Sequence, residues 1–371
     1  MKLNYKLGEL IRNIDVKNKD LHCNNLKGLS MTKEFRASTS NIVGTDLSKY
    51  KIVAYKQFAC DFMSAIRVHK MPIAFNSEME EILVSPAYAV FEVIDENIIL
   101  PEYLMMWFRR SEFDRYADFR SDAAIRGGYG WNELCETEIK LPSLEEQRKK
   151  VQAYKTITDR IELKKKINDN LLDSVQAIFR SWFVDYDPFD GVCPSNWETG
   201  CVEDIAEFFD SMRKPLSSLE RTDMERIYPY YGAVSIVDYV DDYIFDGEYL
   251  LVSEDGIYVV DENGHPLIQH ISGKFWANNH AHILKGKSGF NEDSLYLFLA
   301  NTNMAPIVTG AAQPKINQAN LKSFPITIPD SETMLKFNNI IQPFFDQRLT
   351  NESEIKKLEA LQSLLLTRLV D

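Results

Sequence analysis

Apolar residues recur at three- and four-residue steps over two long stretches of the chain, and in shorter β-like runs elsewhere. The first stretch carries Val151, Tyr154, Ile161, Leu172, Val175, Phe179 and Trp182; the second carries Ile341, Phe344, Ile355, Leu358, Leu365 and Leu369. Such spacing keeps one helix face apolar over about 40 residues, a length of about 60 Å at about 1.5 Å per residue. Lys165 and Asn168 interrupt the first stripe near its middle. Neither stripe can be left in water, and a chain that supplies both can bury them as an antiparallel pair.

Both stretches belong to a repeat. Residues 139–183 and 326–370 align without a gap at an offset of 187, which pairs Pro142 with Pro329, Asp159 with Asp346, Leu171 with Leu358 and Ile178 with Leu365. Each copy is a short β-like run, a punctuating proline and a long helical pattern. Upstream of the first copy, YKIVAY (50–55), EILVSP (81–86) and AYAVFEVI (87–94) predict strands. PEYLMMWFRRSEFDRYADFR (101–120) predicts one helix opened by its proline, and IRGGYGWNEL (125–134) a loop. The same order returns in YLLVS (249–253), HAHIL (280–284), EDSLYLFLANTNM (292–304) and GAAQPKINQANL (310–321). The expected fold class is α+β with an internal pseudo-two-fold duplication. Two mixed-sheet domains, 1–142 and 188–329, would be separated by a long antiparallel two-helix coiled-coil rod built from 143–187 and 330–371. Two amphipathic helices inside one compact core are the alternative, and they leave the duplication unexplained.

Composition narrows the function classes. The chain has 371 residues and no apolar run long enough to span a membrane. MKLNYKLGELIRNID lacks the apolar core of a secretory signal, which predicts a cytoplasmic protein. Five scattered cysteines without a C-x-x-C pair argue against a structural zinc site. The net charge of −13 sits mostly in residues 188–329, where 20 acidic side chains face 9 basic ones. A DNA-binding role must therefore gather its cations on one local face there, or leave most phosphate neutralisation to a partner.

LPSLEEQ (141–147), IELKKKINDNL (161–171) and FRSWFVDYDPF (179–189) resemble the central conserved region of specificity subunits of type I restriction–modification systems. GAAQPKINQANLKSFPITIP (310–329) resembles the end of a target-recognition domain of that family, and the following helix its C-terminal conserved region. The resemblance covers the whole chain; IRGGYGWNEL departs from its counterpart AAQPKINQANL. It implies a non-catalytic subunit that reads a bipartite target on double-stranded DNA, half by each domain. The helices would fix the spacing and dock two methyltransferase subunits, with motor–nuclease subunits joining in the full phage-defence complex. No cofactor is expected in this chain; S-adenosylmethionine, ATP and Mg²⁺ belong to the partner subunits. A duplicated scaffold that binds no nucleic acid is the other reading, and the acidic second domain is its support.

Fragments that imitate catalytic signatures are weak. DPF (187–189) lacks the second proline of an amino-methyltransferase loop, so Pro188 reads as a helix terminator. GKS (286–288) lacks the upstream glycine of a phosphate loop, and His280 and His282 are two potential ligands without a third, so no metal is expected. Candidates for DNA contact are loop residues with base- or phosphate-reading chemistry. In the second domain these are Lys274, Asn278, Asn279, His280, Gln313, Lys315, Asn317 and Gln318; in the first, Arg67, His69, Lys70, Arg126, Tyr129 and Asn132. For partner docking, Arg148, Lys149, Lys164, Lys165 and Lys166 form a basic stripe, with Phe183 and Tyr186 at its aromatic end. Trp182 is expected to pack within the rod.

Overall fold

The computed structural model describes residues 3–38, 44–63, 70–122, 129–310 and 312–369. The first part of the chain forms strands β1 (Leu3–Lys6), β2 (Ile11–Ile14), β3 (Lys27–Leu29), β4 (Phe35–Ala37), β5 (Lys51–Val53), β6 (Gln57–Cys60), β7 (Ile73–Phe75), β8 (Ile82–Val84) and β9 (Ala89–Val93). Helices α1 (Pro101–Phe108), α2 (Ser111–Asp122) and α3 (Trp131–Glu136), strand β10 (Glu138–Leu141) and the 40-residue helix α4 (Leu144–Phe183) follow. The second part begins with β11 (Glu198–Cys201), α5 (Val202–Ile205), β12 (Ala206–Phe208) and α6 (Ser218–Thr222). It continues with β13 (Tyr228–Tyr231), β14 (Ile236–Val240), β15 (Phe245–Ser253), β16 (Ile268–Ala277), β17 (Ala281–Gly286), α7 (Glu292–Ala300), α8 (Gln318–Lys322), β18 (Pro325–Ile328) and α9 (Ser331–Thr367). Two compact units result, residues 1–164 with 353–371 and residues 165–352, so each unit holds part of each long helix.

In the first unit the central sheet has the order β2-β9-β6-β7, antiparallel throughout. Its core is aromatic: Phe58 stacks on Phe91 at 5.0 Å, and Phe108 meets both edge-on at 6.1 Å. The predicted single helix over 101–120 is two, broken at Arg109 and Arg110. At 3.6 residues per turn, Phe113 would point about 140° away from Phe108 in an unbroken helix. The break lets Phe113 and Ala117 join Trp107 and Phe108 in one core. Lys33 is buried beneath them, with Nζ 2.7 Å from Asp114 Oδ1 and 5.1 Å from the Phe113 ring centre. Burial pulls that ammonium below its usual range, and Asp114 opposes the shift. The second half of the predicted glycine-rich loop is helix α3, and residues 123–128 lie outside the described residues.

LPSLEEQ is the joint between sheet and long helix. Ser143 and Glu146 form a reciprocal capping box at the start of α4. Gln147 is fully buried; its Nε2 donates to the Ile98 and Pro142 carbonyls, and its Oε1 accepts from the Leu100 amide. The end of α9 runs antiparallel to α4 within this unit. Gln362 donates to Thr158 at 2.8 Å, Lys164 pairs with Glu354 at 2.8 Å, and Lys150 donates to the Leu369 carbonyl.

The second unit repeats the plan. Its sheet order β12-β17-β15-β16 follows the first unit strand for strand, then extends through β13, parallel to β16, to β14. Strands β11 and β18 pair antiparallel, as β1 and β10 do. Here α4 and α9 bury Val175, Phe179, Phe337 and Ile341 against α7 and the sheet. Much of each apolar stripe thus enters a globular core as well as facing the other helix. Helix α4 ends at Phe183, ahead of Pro188, and Tyr186 turns the chain in a left-handed conformation (φ 57°).

Asp293 is buried where α7 and α9 meet β16, with two half-buried acids and one exposed acid around it. Burial, with the charges of Glu248, Asp346 and Glu292, pushes the Asp293 carboxyl up to about 7. His270 lies 3.5 Å from it and is brought down to about 4 by burial and by Arg348. An acid whose folded pKa exceeds its unfolded one costs stability progressively as pH rises from the unfolded value to the folded one. Asp293→Asn should therefore stabilise the protein by up to about 4 kcal/mol at pH 8 and by less than about 2 kcal/mol at pH 5. Thermal melts at the two pH values check this.

Candidate nucleic-acid interface

Strands β15 and β17 lie side by side with Val252 opposite His282 and Ser253 opposite Ala281. Beyond the end of β15 come Glu254 and Asp255, and the segment 309–318 folds back onto them. The Ile316 amide donates to the Glu254 carbonyl at 2.9 Å, and Lys315 bridges to Asp255 along the backbone. Period-two alternation puts His282 on the inner face of β17, where it is fully buried. Its Nδ1 lies 2.6 Å from Asp210 Oδ2 and its Nε2 lies 2.8 Å from the Ile316 carbonyl oxygen. A carboxylate and a carbonyl only accept, so each ring nitrogen of His282 faces an acceptor.

Around this ring four chain segments are tied by charge. Arg213 donates to Glu254 at 2.5 Å and to the Ala281 carbonyl at 2.7 Å, and approaches Asp210 at 3.3 Å. Lys315 Nζ lies 2.9 Å from the other Glu254 oxygen. Asp210 accepts as well from the Ile283 amide and the Gln318 side chain. Burial alone would raise the Asp210 and Glu254 carboxyls. Hydrogen bonds and charge from His282 and Arg213 outweigh it at Asp210, and those of Arg213, Lys315 and His282 at Glu254, so both sit below the usual carboxylate range. Asp210, Glu254 and His282 also bring ligand atoms within 4.8 Å of one another, which would suit a cation. The two neighbouring cations and the ring hydrogen bonds of His282 already engage those atoms, so the group's chemistry is that of an ion-pair hub.

Several DNA-contact candidates gather on this hub and others stand apart. Lys315 and Gln318 are part of it, and exposed His280 joins through Asp255 at 2.5 Å. Asn279, exposed beside it, offers its carbonyl to Arg213 at 3.5 Å. Asn278 is buried and holds the turn by accepting from the His280 amide. Asn317 caps α8 through the Asn320 amide, and Gln313 is exposed on the loop. Lys274 lies apart on β16, its ammonium 4.4 Å from the Tyr243 ring centre. In the first unit Lys70 and Asn132 are exposed, the latter on α3. Tyr129 is buried, its hydroxyl 2.9 Å from that of Thr137, and burial raises its pKa. Arg67, His69 and Arg126 lie outside the described residues.

On the long helix, Arg148, Lys149, Lys165 and Lys166 are exposed, while Lys164 is half-buried against Glu354. Phe183 packs within 4.7 Å of Phe298 and Phe337, and Tyr186 leans on Trp197 at 5.8 Å. Trp182 packs against Phe337 at 5.7 Å, as expected. Sequence reasoning missed Asp210, Arg213, Glu254 and Asp255, because acids and an arginine in an acid-rich region carry no local pattern.

Residues 194–361 match the family model of the type I restriction modification DNA specificity domain. Over 128 residues the chain is 39% identical to S.HindORF215P of Haemophilus influenzae, assigned as a type I restriction enzyme specificity subunit, covering 34% of this chain and 32% of that one. It is 24% identical over 303 residues to the MjaIX specificity subunit of Methanocaldococcus jannaschii, covering 75% of this chain and 70% of the other. The first of these matches thus spans about a third of the relative's length. The S subunit of a type I restriction–modification system from M. genitalium shares the fold, with a TM-score of 0.57 at 12% identity over 100% of this chain and 96% of that one.

His282→Phe would leave the buried Ile316 carbonyl without its ring donor and take one of several donors from Asp210, and should cost about 1–3 kcal/mol in urea unfolding. The hub also sets an acid limit. Carboxyls held below their unfolded values, near about 4, stabilise above that range, and this contribution is lost as pH falls through their folded values. The parent's melting temperature should drop below about pH 4, and the drop should be shallower in Asp210→Asn.

Proposed function

We propose that the chain is a member of the type I restriction–modification DNA specificity family, whose model it matches over residues 194–361, and that it is the non-catalytic subunit that reads a bipartite DNA target. One observation carries the reading: a single plan of strand order, two-stranded ribbon and long helix occurs twice in a chain that matches that model. Two bodies of one plan with different surface residues suit two half-sites of different sequence. DNA repeats about every 34 Å, so two bodies held at fixed spacing read groove patches separated by base pairs that neither touches.

In the second unit the surface proposed to meet DNA is the rim of the ion-pair hub, with Asn279, His280, Gln313 and Lys315, and a further contact is proposed at Lys274, which lies apart on β16. Asn278, Asn317 and Gln318 hold that rim in shape. In the first unit Lys70, Asn132, Arg67, His69 and Arg126 remain the proposed contacts, while Tyr129 is buried. The acidity that favoured a scaffold has a structural use, since Asp210, Asp238, Glu254 and Asp255 are paired with Arg213, Arg221, Lys315 and His280. Those pairs also engage cations, so most phosphate neutralisation falls to partners. Two methyltransferase subunits would dock on the helices through Arg148, Lys149, Lys165 and Lys166, with Lys164, Phe183 and Tyr186 supporting that face. Motor–nuclease subunits complete the assembly. S-adenosylmethionine, ATP and Mg²⁺ would bind those partners.

Methylome sequencing of the host with and without this gene tests the assignment. A split adenine-methylation motif should disappear with the gene, and an unchanged methylome refutes the role. In the purified complex, Lys274→Ala should weaken DNA binding across sequences and reduce the slope of log affinity against log salt by about 1.

A further inference from the structure

The polar interruption of the first stripe meets a second one. Asn168 and Asn351 are 9% and 2% exposed, each on the apolar seam of its long helix. Asn351 Nδ2 donates to Asn168 Oδ1 at 2.8 Å, Asn351 Oδ1 accepts from Gln347 at 3.0 Å, and Asn168 Nδ2 faces the Arg348 carbonyl at 3.5 Å. All four amide heavy atoms therefore have partners in this one pairing of the helices.

Other pairings break the match. Helices with a seven-residue seam can exchange registers by sliding one heptad, since apolar positions then meet apolar positions again. Sliding by seven in one direction sets Asn168 against Leu358 and Asn351 against Val175; in the other it sets them against Phe344 and Ile161. All four are apolar, so every slipped pairing buries two amides without a partner on the facing side chain, and Asn351 keeps only its bond from Gln347 on its own helix. The 187-residue offset carries Asn168 to Ile355 and Asn351 back to Lys164, so the repeat does not supply a second such pair.

We propose that the Asn168–Asn351 pair is the spacer-determining element: it locks the register of the two long helices, and with it the number of unread base pairs between half-sites. The second clause rests on the DNA-reading role proposed above; the first does not.

The test uses the full chain and reads both clauses. Lys164→Cys with Glu354→Cys reports the register described here, and Lys164→Cys with Gln347→Cys or Leu361→Cys reports the two slipped ones, through disulfide peptides identified by mass spectrometry. In the Asn168→Leu/Asn351→Leu background the slipped cross-links should rise by about tenfold or more, with no fall in melting temperature. Slipped cross-links at the parent's level overturn the proposal. A second variant, Ile161→Asn/Asn168→Ile, keeps the composition and moves the partner of Asn351 by one heptad. It should favour the Gln347 cross-link, and the parent's pattern there overturns the proposal equally. In cells, the double leucine variant should methylate the same half-sites across neighbouring spacer lengths. Unchanged spacer selectivity overturns the second clause. A methylome that never depended on the gene refutes the DNA-reading role instead, while the cross-links still decide the register.

Discussion

The constraint on which the rest depends is the burial of two apolar stripes on helices too long for one small core. Helix α4 alone presents Val151, Tyr154, Ile161, Val175 and Phe179 along 40 residues. Part of that stripe enters the core of the first unit with Tyr103 and Trp107, and part enters the core of the second with Phe298 and Phe337. Helix α9 does the same in the opposite order, with Ile341 in the second unit and Leu366 in the first. Each unit is completed by segments from far apart in the chain, so neither core closes until both helices are in place.

Charge is organised by the same economy. The second unit is strongly acidic, yet the buried carboxylates of its hub are matched. Asp210, Glu254, Arg213, Lys315 and His282 pin segment 312–318 to the end of the sheet. Removing one member exposes the others to a low-dielectric interior, which makes such a hub rigid and intolerant of change. Rigidity is what a reading surface needs: the side chains on its rim are presented in one arrangement before any ligand arrives, and ordering them costs less on binding.

Periodicity made much of the architecture legible. The two stripes marked α4 and α9, β-branched runs marked β5, β8 and β9, and the offset between the copies pointed to two related bodies. The break between α1 and α2 was invisible because no proline or glycine marks it; only the need of Phe113 to reach the core explains it. Helix α8 hid in a segment that reads as a loop, since Asn317 is equally at home capping a helix or turning a chain. The hub was hidden for a different reason. Asp210, Glu254, His282 and Lys315 are brought together by strand pairing across a hundred residues, and no local spacing announces that. Gln147 in LPSLEEQ drew notice for its motif, while its three-bond clasp depends on carbonyls and an amide that sequence cannot place.

Strands β11 and β18 form a narrow neck, with Glu198 opposite Ile328 and Cys201 opposite Pro325. The whole body from α5 to α8 enters and leaves through that neck. Its size and internal sequence are therefore uncoupled from the helix that follows. A differently shaped insert with the same two flanking strands would leave the following helix untouched, so a gene of this design can exchange the whole cassette at its roots.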